Sequence, residues 1–437
     1  MDRIRTWLGG LSLRAARAWR QDGLPWMRHL AVRAQGGERR LRAMARHLER
    51  RGRPGGRLPS LLAGATLRQA LGRLAKPFGL RGWRSGVAVA TSALALVLAF
   101  SIALGGHQAS PRLMPGGQVP EVIGFYQNSW SHQLQSGMAT LQAHHAEINT
   151  VLAFWYSVDG NGTLHANAPD PAVTAFVRSH HMRMGVLINN IAGSSGNNAG
   201  MLTNPSARAR AVGAIASMVS QNGYQDVNID FELLKPSARS GLTTFMGDLR
   251  RALPASVRLS ESVFPPLGVS SSINGAYDYA ALAKVTNYLV IMLYDHHYNG
   301  GPAGPVSPYS WVTANLNWLM RTAHIPASKV VLAVGVYGYD WPVGSTTATE
   351  LPLNAIDQLK NSLGVTATLD PVSLEPYFRY TASDGTRHVV WYQNSQTMLQ
   401  RLKLAEQYNL HGIAIWALGQ GTPAVWNAIH STLGTLS

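Results

Sequence analysis

Eight short apolar runs recur through the C-terminal part of the chain, at 122–126, 151–156, 184–190, 227–232, 257–264, 288–294, 330–337 and 412–418. Each is too short for an ordinary helix and suits a buried strand. The stretches between them have amphipathic helical spacing. Residues 205–221 open on Pro and place Ala, Val, Ile and Met on one face, and 236–253 also begin with Pro, which fits a first helical turn. Eight strands alternating with helices predict an α/β fold, a (β/α)8 TIM barrel, with its chemistry at the C-terminal strand ends. The interval between the last two runs is longer than one helix requires. It holds a helical run at 353–363, strand-like pieces at 377–380 and 388–392, and a turn at Ser383-Asp384-Gly385. The expectation is a small α+β insertion between strands 7 and 8, at about residues 342–393, walling one side of a cleft. A decorated loop without a role is the other reading.

The run 227–232 carries the strongest chemical signal. It alternates, so that Val227, Ile229 and Phe231 share one face and Asn228, Asp230 and Glu232 the other, successive same-face residues lying roughly 7 Å apart. Neighbouring carboxyls can hold one another in different protonation states. Cleavage of a glycosidic bond needs such a group, first as proton donor and then as base. The other reading is an ordinary strand with a solvated acidic face.

Charge divides the chain. Of 38 Lys+Arg and 22 Asp+Glu, residues 1–85 hold 20 and 4, which leaves 18 and 18 for the rest, so the whole excess of +16 lies in that first segment. Next come 21 uncharged residues from Gly86 to Gly106, long enough to cross a bilayer as one helix. With the basic side retained in the cytoplasm, residues 1–85 become a partly disordered basic tail, 86–106 a signal-anchor helix, 107–120 a linker and 121–437 an outward-facing catalytic domain on a bacterial cell membrane. A buried core helix is the competing reading of 86–106. No motif in the basic tail supports nucleic-acid binding. The chain has no Cys, so a Cys-based metal site or nucleophile is excluded.

In order along the chain stand Asn228-Ile229-Asp230-Phe231-Glu232, Met292-Leu293-Tyr294-Asp295, Tyr337-Gly338-Tyr339-Asp340-Trp341, and Trp416 in the last run. This series resembles glycoside hydrolase family 18, the chitinase-like enzymes, and looks most like the branch of spore cortex-lytic N-acetylglucosaminidases. The resemblance covers about residues 120–433. Asn228 stands where chitinases carry Asp, as in the spore-lytic branch, whereas Gln225-Asp226 replace the family's usual Asp-Gly. Loss of that Asp removes one member of a buried carboxyl chain that bears on Asp230.

The resemblance implies substrate-assisted hydrolysis of β-1,4-linked N-acetylglucosamine glycans, peptidoglycan or chitin-like, with retention of configuration and no cofactor. By that resemblance Glu232 is the acid and later the base. Asp230 orients the acetamido group, Tyr294 hydrogen-bonds its oxygen, Asn228 holds Asp230, and Trp416 floors the reacting sugar. Asp295, Tyr126, Asn190 and Trp341 are further candidates for the cleft. The alternative is a glycan-binding protein that has kept the fold without catalysis. The pair His296-His297 is not read as a metal site, because adjacent side chains point apart.

Overall fold

The computed structural model describes residues 119–128, 137–191 and 199–434. Fourteen strands lie among them. The first eight are β1 (Glu121–Tyr126), β2 (Thr150–Val158), β3 (Leu164–Ala166), β4 (Arg183–Asn189), β5 (Asp226–Asp230), β6 (Arg258–Val263), β7 (Tyr288–Met292) and β8 (Val330–Gly335). Five more, β9 (Tyr337–Pro342), β10 (Thr349–Pro352), β11 (Thr368–Leu369), β12 (Pro376–Thr381) and β13 (Arg387–Tyr392), precede β14 (Gly412–Trp416). Strands β1, β2, β4, β5, β6, β7, β8 and β14 pair in parallel, and β14 returns to β1, so the sheet closes as an eight-stranded barrel. The short β3 adds antiparallel to β2.

Closure buries both faces of every barrel strand, so the period of two sorts side chains into two cores. Ile123, Phe125, Leu152, Leu187, Val290, Val331, Ala333 and Ala414 fill the interior. Val227, Ile229 and Phe231 face the helical layer, where Phe231 stacks on Phe245 at 5.4 Å. All five residues of β5 are buried, so the polar face of this strand is not the solvated face of an ordinary strand.

The helices begin and end where local chemistry requires. Asn204 caps the helix Pro205–Asn222 by accepting from the N–H groups of Ser206 and Ala207; Pro follows at the first turn, and Gly223 ends it at φ 60°. Asn394 and Thr397 form a reciprocal capping box for Ser395–Tyr408.

The base of the barrel is polar. The Arg258 Nη atoms donate to both oxygens of Glu121 at 2.8 Å, and its Nε donates to Asp226 at 2.6 Å. His411 Nε2 lies 2.8 Å from Glu121, and the Tyr288 hydroxyl donates to Asp226 at 3.2 Å. Asp226 fits here because Gly185 faces it: a Cβ at position 185 would lie 2.5 Å from the Asp226 Cβ. Burial alone pushes the Glu121 carboxyl up, but the hydrogen bonds from His411 and Arg258 outweigh it and hold the group well below its ordinary value. For Asp226 burial wins over the pull of Arg258, and its carboxyl sits at about 6.

The seventh run proves to be two strands. β8 stops at Gly335, the Val336 N–H donates to the Trp416 carbonyl, and β9 leaves the barrel from Tyr337. Gly335 permits the exit, since a Cβ there would lie 2.5 Å from the Tyr337 ring. The insertion therefore starts at Tyr337 and not near 342. It is a five-stranded antiparallel sheet in the order β10-β9-β13-β12-β11, backed by the helix Leu353–Ser362. Glu375 fastens it to the barrel by accepting from the backbone N–H groups of Val306 and Ser307 and lying 4.0 Å from Arg401.

Among the described residues no helix is long and apolar enough to cross a membrane. The expected tail and anchor, and the linker up to residue 118, lie outside the described residues.

The base cluster generates a prediction. Arg258→Met leaves two buried carboxyls without their shared cation, and removing one partner of a buried pair costs about 3–5 kcal/mol. Equilibrium urea unfolding should show a loss of that size. A loss under about 1 kcal/mol would mean that water already compensates Glu121 and Asp226.

Candidate active site

The C-terminal strand ends open into a cleft of about 510 Å³ lined by side chains from β1, β2, β4, β5, β6, β7 and β14 and the loops after them. Asp230, Glu232, Tyr294, Asp295 and Trp416 all reach it. Strand β5 places Asp230 on its last residue, and Glu232 follows beyond the strand end. Asn190 clamps the turn from the next strand: its Nδ2 donates to the Glu232 carbonyl at 3.0 Å, and its Oδ1 accepts from the Glu232 N–H at 3.1 Å. Leu233 at φ 51° and Asp295 at φ 56° then take left-handed conformations that side chains disfavour, one beside each acidic element of the cleft.

The acids share a dry environment. Burial, reinforced by the charge of Glu232, pushes the Asp230 carboxyl well above its ordinary value, and burial with the charge of Asp295 pushes Glu232 up to about 7. Like charges this close in a desolvated cleft favour keeping a proton on the pair. Asp230 is buried, and its Oδ1 has no hydrogen-bond partner within the protein, which leaves a free acceptor at the cleft wall. Burial also raises Asp295, against the hydroxyls of Tyr337 and Tyr339, which donate to its Oδ1 at 2.5 and 3.0 Å. Tyr294 is held as the neutral phenol by burial and by the charges of Asp230 and Glu232, so it remains a donor. Trp416 meets Phe125 and Phe154 edge-on at 5.5 and 6.2 Å and forms an apolar floor.

Other sequence candidates fall outside the lining. The Asn228 amide donates to Ser260 at 3.1 Å and accepts from Ser262 at 2.9 Å, so it knits β5 to β6 and its partners are those serines rather than Asp230. Tyr126 lies behind the wall, edge-on to Trp155, because β1 turns Phe125 inward instead. Trp341 is fully buried in the core of the insertion against Tyr339. The departure Gln225-Asp226 sits at the base, with Asp226 four residues, about 13 Å, along the strand from Asp230.

Sequence reasoning missed several contributors. Glu261 on β6 is fully buried, neither of its oxygens has a hydrogen-bond partner, and burial plus the charge of Asp230 raises its carboxyl well above normal. Register pairs Glu261 with Ile229, so it shares the helical side of β6 with Leu259 and Val263 while still feeling the charge of Asp230. Phe125, Phe154 and Ser262 line the cleft because the register of their strands turns them inward. Phe264, Pro265, Val269 and Ile273 make one wall apolar, and His296 sits opposite with its Nδ1 buried and unpartnered. Among the described residues no group of three His, Cys, Asp or Glu could hold a metal ion.

Known proteins resemble this chain. The chain is 26% identical over 300 residues to an uncharacterized glycosylase, YvbX, of Bacillus subtilis, covering 66% of this chain and 86% of that one. It is 26% identical over 284 residues to the cortical fragment-lytic enzyme of the same organism, covering 63% of this chain and 65% of the relative. Among solved structures, a chitinase from Chromobacterium violaceum superposes with a TM-score of 0.67 at 26% identity, over 72% of this chain and 99% of that one. The Bacillus cereus spore cortex-lytic enzyme SleL shares the fold with a TM-score of 0.65 at 22% identity, over 72% and 76%. The model of the glycosyl hydrolases family 18 matches residues 121–421, from the first barrel strand past Trp416: this chain is a glycosidase of glycosyl hydrolase family 18.

Proposed function

We propose that the enzyme cleaves β-1,4 bonds of N-acetylglucosamine-containing glycans, peptidoglycan or chitin-like, with help from the substrate's own acetamido group. One observation carries the reading: Asp230 and Glu232 lie two residues apart in a dry cleft above Trp416, with Glu232 poised near neutrality. In the first step the acetamido oxygen of the reacting sugar attacks its own anomeric carbon. The glycosidic bond breaks, and the departing oxygen takes the proton from Glu232. Asp230 accepts a hydrogen bond from the acetamido N–H and offsets the positive charge of the oxazolinium ring, while Tyr294 donates to the ring oxygen. Water then adds at the anomeric carbon from the face the leaving group vacated. It returns its proton to Glu232, and configuration is retained.

We further propose that residues 86–106 anchor the chain in a bacterial membrane with the barrel outside. The support is the charge asymmetry, since the basic excess lies wholly before that uncharged segment.

Three results are expected. Glu232→Gln keeps the shape of the side chain and removes its proton, so turnover should fall at least 100-fold, with oligosaccharide affinity retained, as steady-state kinetics and calorimetry would measure. In the unaltered enzyme, kcat should decline above about pH 7 as Glu232 loses its proton. A variant that turns over at the normal rate would remove Glu232 from the mechanism.

Substrate assistance makes a second demand. N-acetylated oligomers should be cleaved, whereas cellulose-type and fully deacetylated oligomers should not, although the linkage is the same. A thiazoline mimic of the cyclised sugar should inhibit, and Tyr294→Phe should lower kcat more than it raises KM. Efficient cleavage of plain glucose chains without thiazoline inhibition would rule the scheme out.

The third result concerns placement. The full chain should sediment with membranes, and its barrel should resist protease added to the cytoplasmic side. Recovery of the intact chain in the soluble fraction would refute the anchor.

A further inference from the structure

The insertion sheet turns one face towards the catalytic side, and that face changes character along its width. Tyr337 and Tyr339 of β9 are on it, with their hydroxyls on Asp295. Register places Trp391 of β13 opposite Tyr339 and Tyr377 of β12 opposite Trp391, all on the same face. Tyr377 and Trp391 stack at 4.6 Å with their planes 24° apart, and both are half-buried, packed into the cluster that includes Tyr294 and Trp416. Beside them on the same face stands Arg379, its guanidinium 5.0 Å from the centre of the Tyr377 ring. Arg387 lies diagonally across from Arg379, because it pairs with Thr381. Both arginines are exposed, and among the described residues neither forms an ion pair.

Their lack of partners does not come from a lack of acids in the insertion. Asp384, on the turn between the two strands, accepts from the Thr386 N–H. Asp340 is on the opposite face, held by Tyr380 and His388 at 2.6 and 2.8 Å. Glu350, opposite Tyr339 on β10, bonds to Gln420 at the far edge. Three strand spacings separate β10 from β12, about 14 Å. The sheet therefore ends in an aromatic shelf with two uncompensated guanidinium groups at its outer side, next to a cleft whose own charge is acidic.

We propose that Tyr377, Trp391, Arg379 and Arg387 form a distal subsite for a sugar that carries a carboxylate on its 3-O branch, as the muramyl residues of peptidoglycan do and the residues of chitin do not. The inference rests on the glycosidase reading above and names the substrate class within it. Stacked aromatic rings take the C–H face of a pyranose and leave its ring substituents pointing outward. A carboxylate on such a substituent comes within reach of guanidinium groups, whose paired N–H donors match its geometry. It also meets attraction on approach to a cleft that otherwise repels anions. A neutral chitin chain would use the shelf and ignore the arginines.

The test uses the full chain with three probes: a chitin hexamer, a peptide-free muramyl-containing hexasaccharide, and the same hexasaccharide with stem peptides. The double variant R379E/R387E should lower the muramyl-to-chitin ratio of kcat/KM roughly 5-fold or more at low salt, the size expected for two partly exposed charge contacts reversed. Raising the salt should shrink that ratio in the unaltered enzyme. A fall with the peptide-free probe identifies the lactyl carboxylate, and a fall confined to the peptide-bearing probe identifies stem-peptide carboxylates; either supports the subsite. An unchanged ratio, or an equal loss on all three probes, overturns it. If the double variant does not fold, Arg379→Gln and the salt titration read the same ratio. Measuring Kd for the same probes by calorimetry keeps the result separate from turnover, so a failure of the hydrolytic reading would not be mistaken for a failure of the subsite.

Discussion

Ring closure between β14 and β1 governs what every other part of this molecule can do. An open sheet would let a strand keep one wet face. In a closed parallel barrel each strand has an interior face that must be filled and an exterior face that helices must cover, and the register of one pair sets the parity of the next. With Ile123 opposite Ala414 and Phe125 turned inward, Trp416 comes to the top of the interior. Asn228 and Asp230 are fixed inward on β5 by the same logic, and Ile229 outward. A shift of one residue would send Asp230 into the helical layer and bring Phe231 into the cleft. The catalytic arrangement is thus a consequence of hydrogen-bond register between strands far apart in sequence.

That interior holds carboxyls at both ends, and their fates differ. At the base, Arg258 and His411 surround Glu121 and stabilise its charge beyond the cost of burial. At the mouth, Asp230 and Glu232 have no comparable cation, so burial and mutual repulsion favour the proton. A carboxyl is therefore an ionic strut at one end and holds its proton more tightly at the other, and the difference lies in the company it keeps. Asp226, on the same strand as Asp230, stands between the two cases: Arg258 pulls its carboxyl down, but burial outweighs that pull. Its substitution for the family's usual Gly is matched by Gly185, which leaves it room, and by Arg258, which offsets its charge.

Most of the fold and part of the site were legible in the sequence. The eight runs mark the eight barrel strands because strands buried on both faces are nearly continuous in apolar residues. The motif at 228–232 marks the acids because strand alternation is a local property. Features that depend on pairing between distant segments were not legible. Nothing near Tyr126 says that Phe125, and not its neighbour, faces the cleft; the register with β14 decides it. Glu261 reads as one of several polar residues in its run until β6 is set beside β5. Trp341 is a cleft candidate only through its place in the motif Tyr337-Gly338-Tyr339-Asp340-Trp341. The turn at Gly335–Val336 starts a second sheet there, and Trp341 becomes part of its core.

On the proposed reading, the insertion gives the barrel a function the barrel cannot supply alone. Side chains at the strand ends converge on a point, which suffices to act on one bond. A glycan is a linear chain, and recognising the sugars beyond the reacting one requires a surface running away from that point. The five-stranded sheet is such a surface, and it is anchored at both ends. Tyr337 and Tyr339 bind it to Asp295 inside the cleft, and Glu375 binds it to the loop after β7. Rigid attachment matters because a shelf that moved relative to Glu232 would bind distant sugars without orienting the bond to be cut, and binding energy that does not orient the reacting centre does not accelerate the reaction.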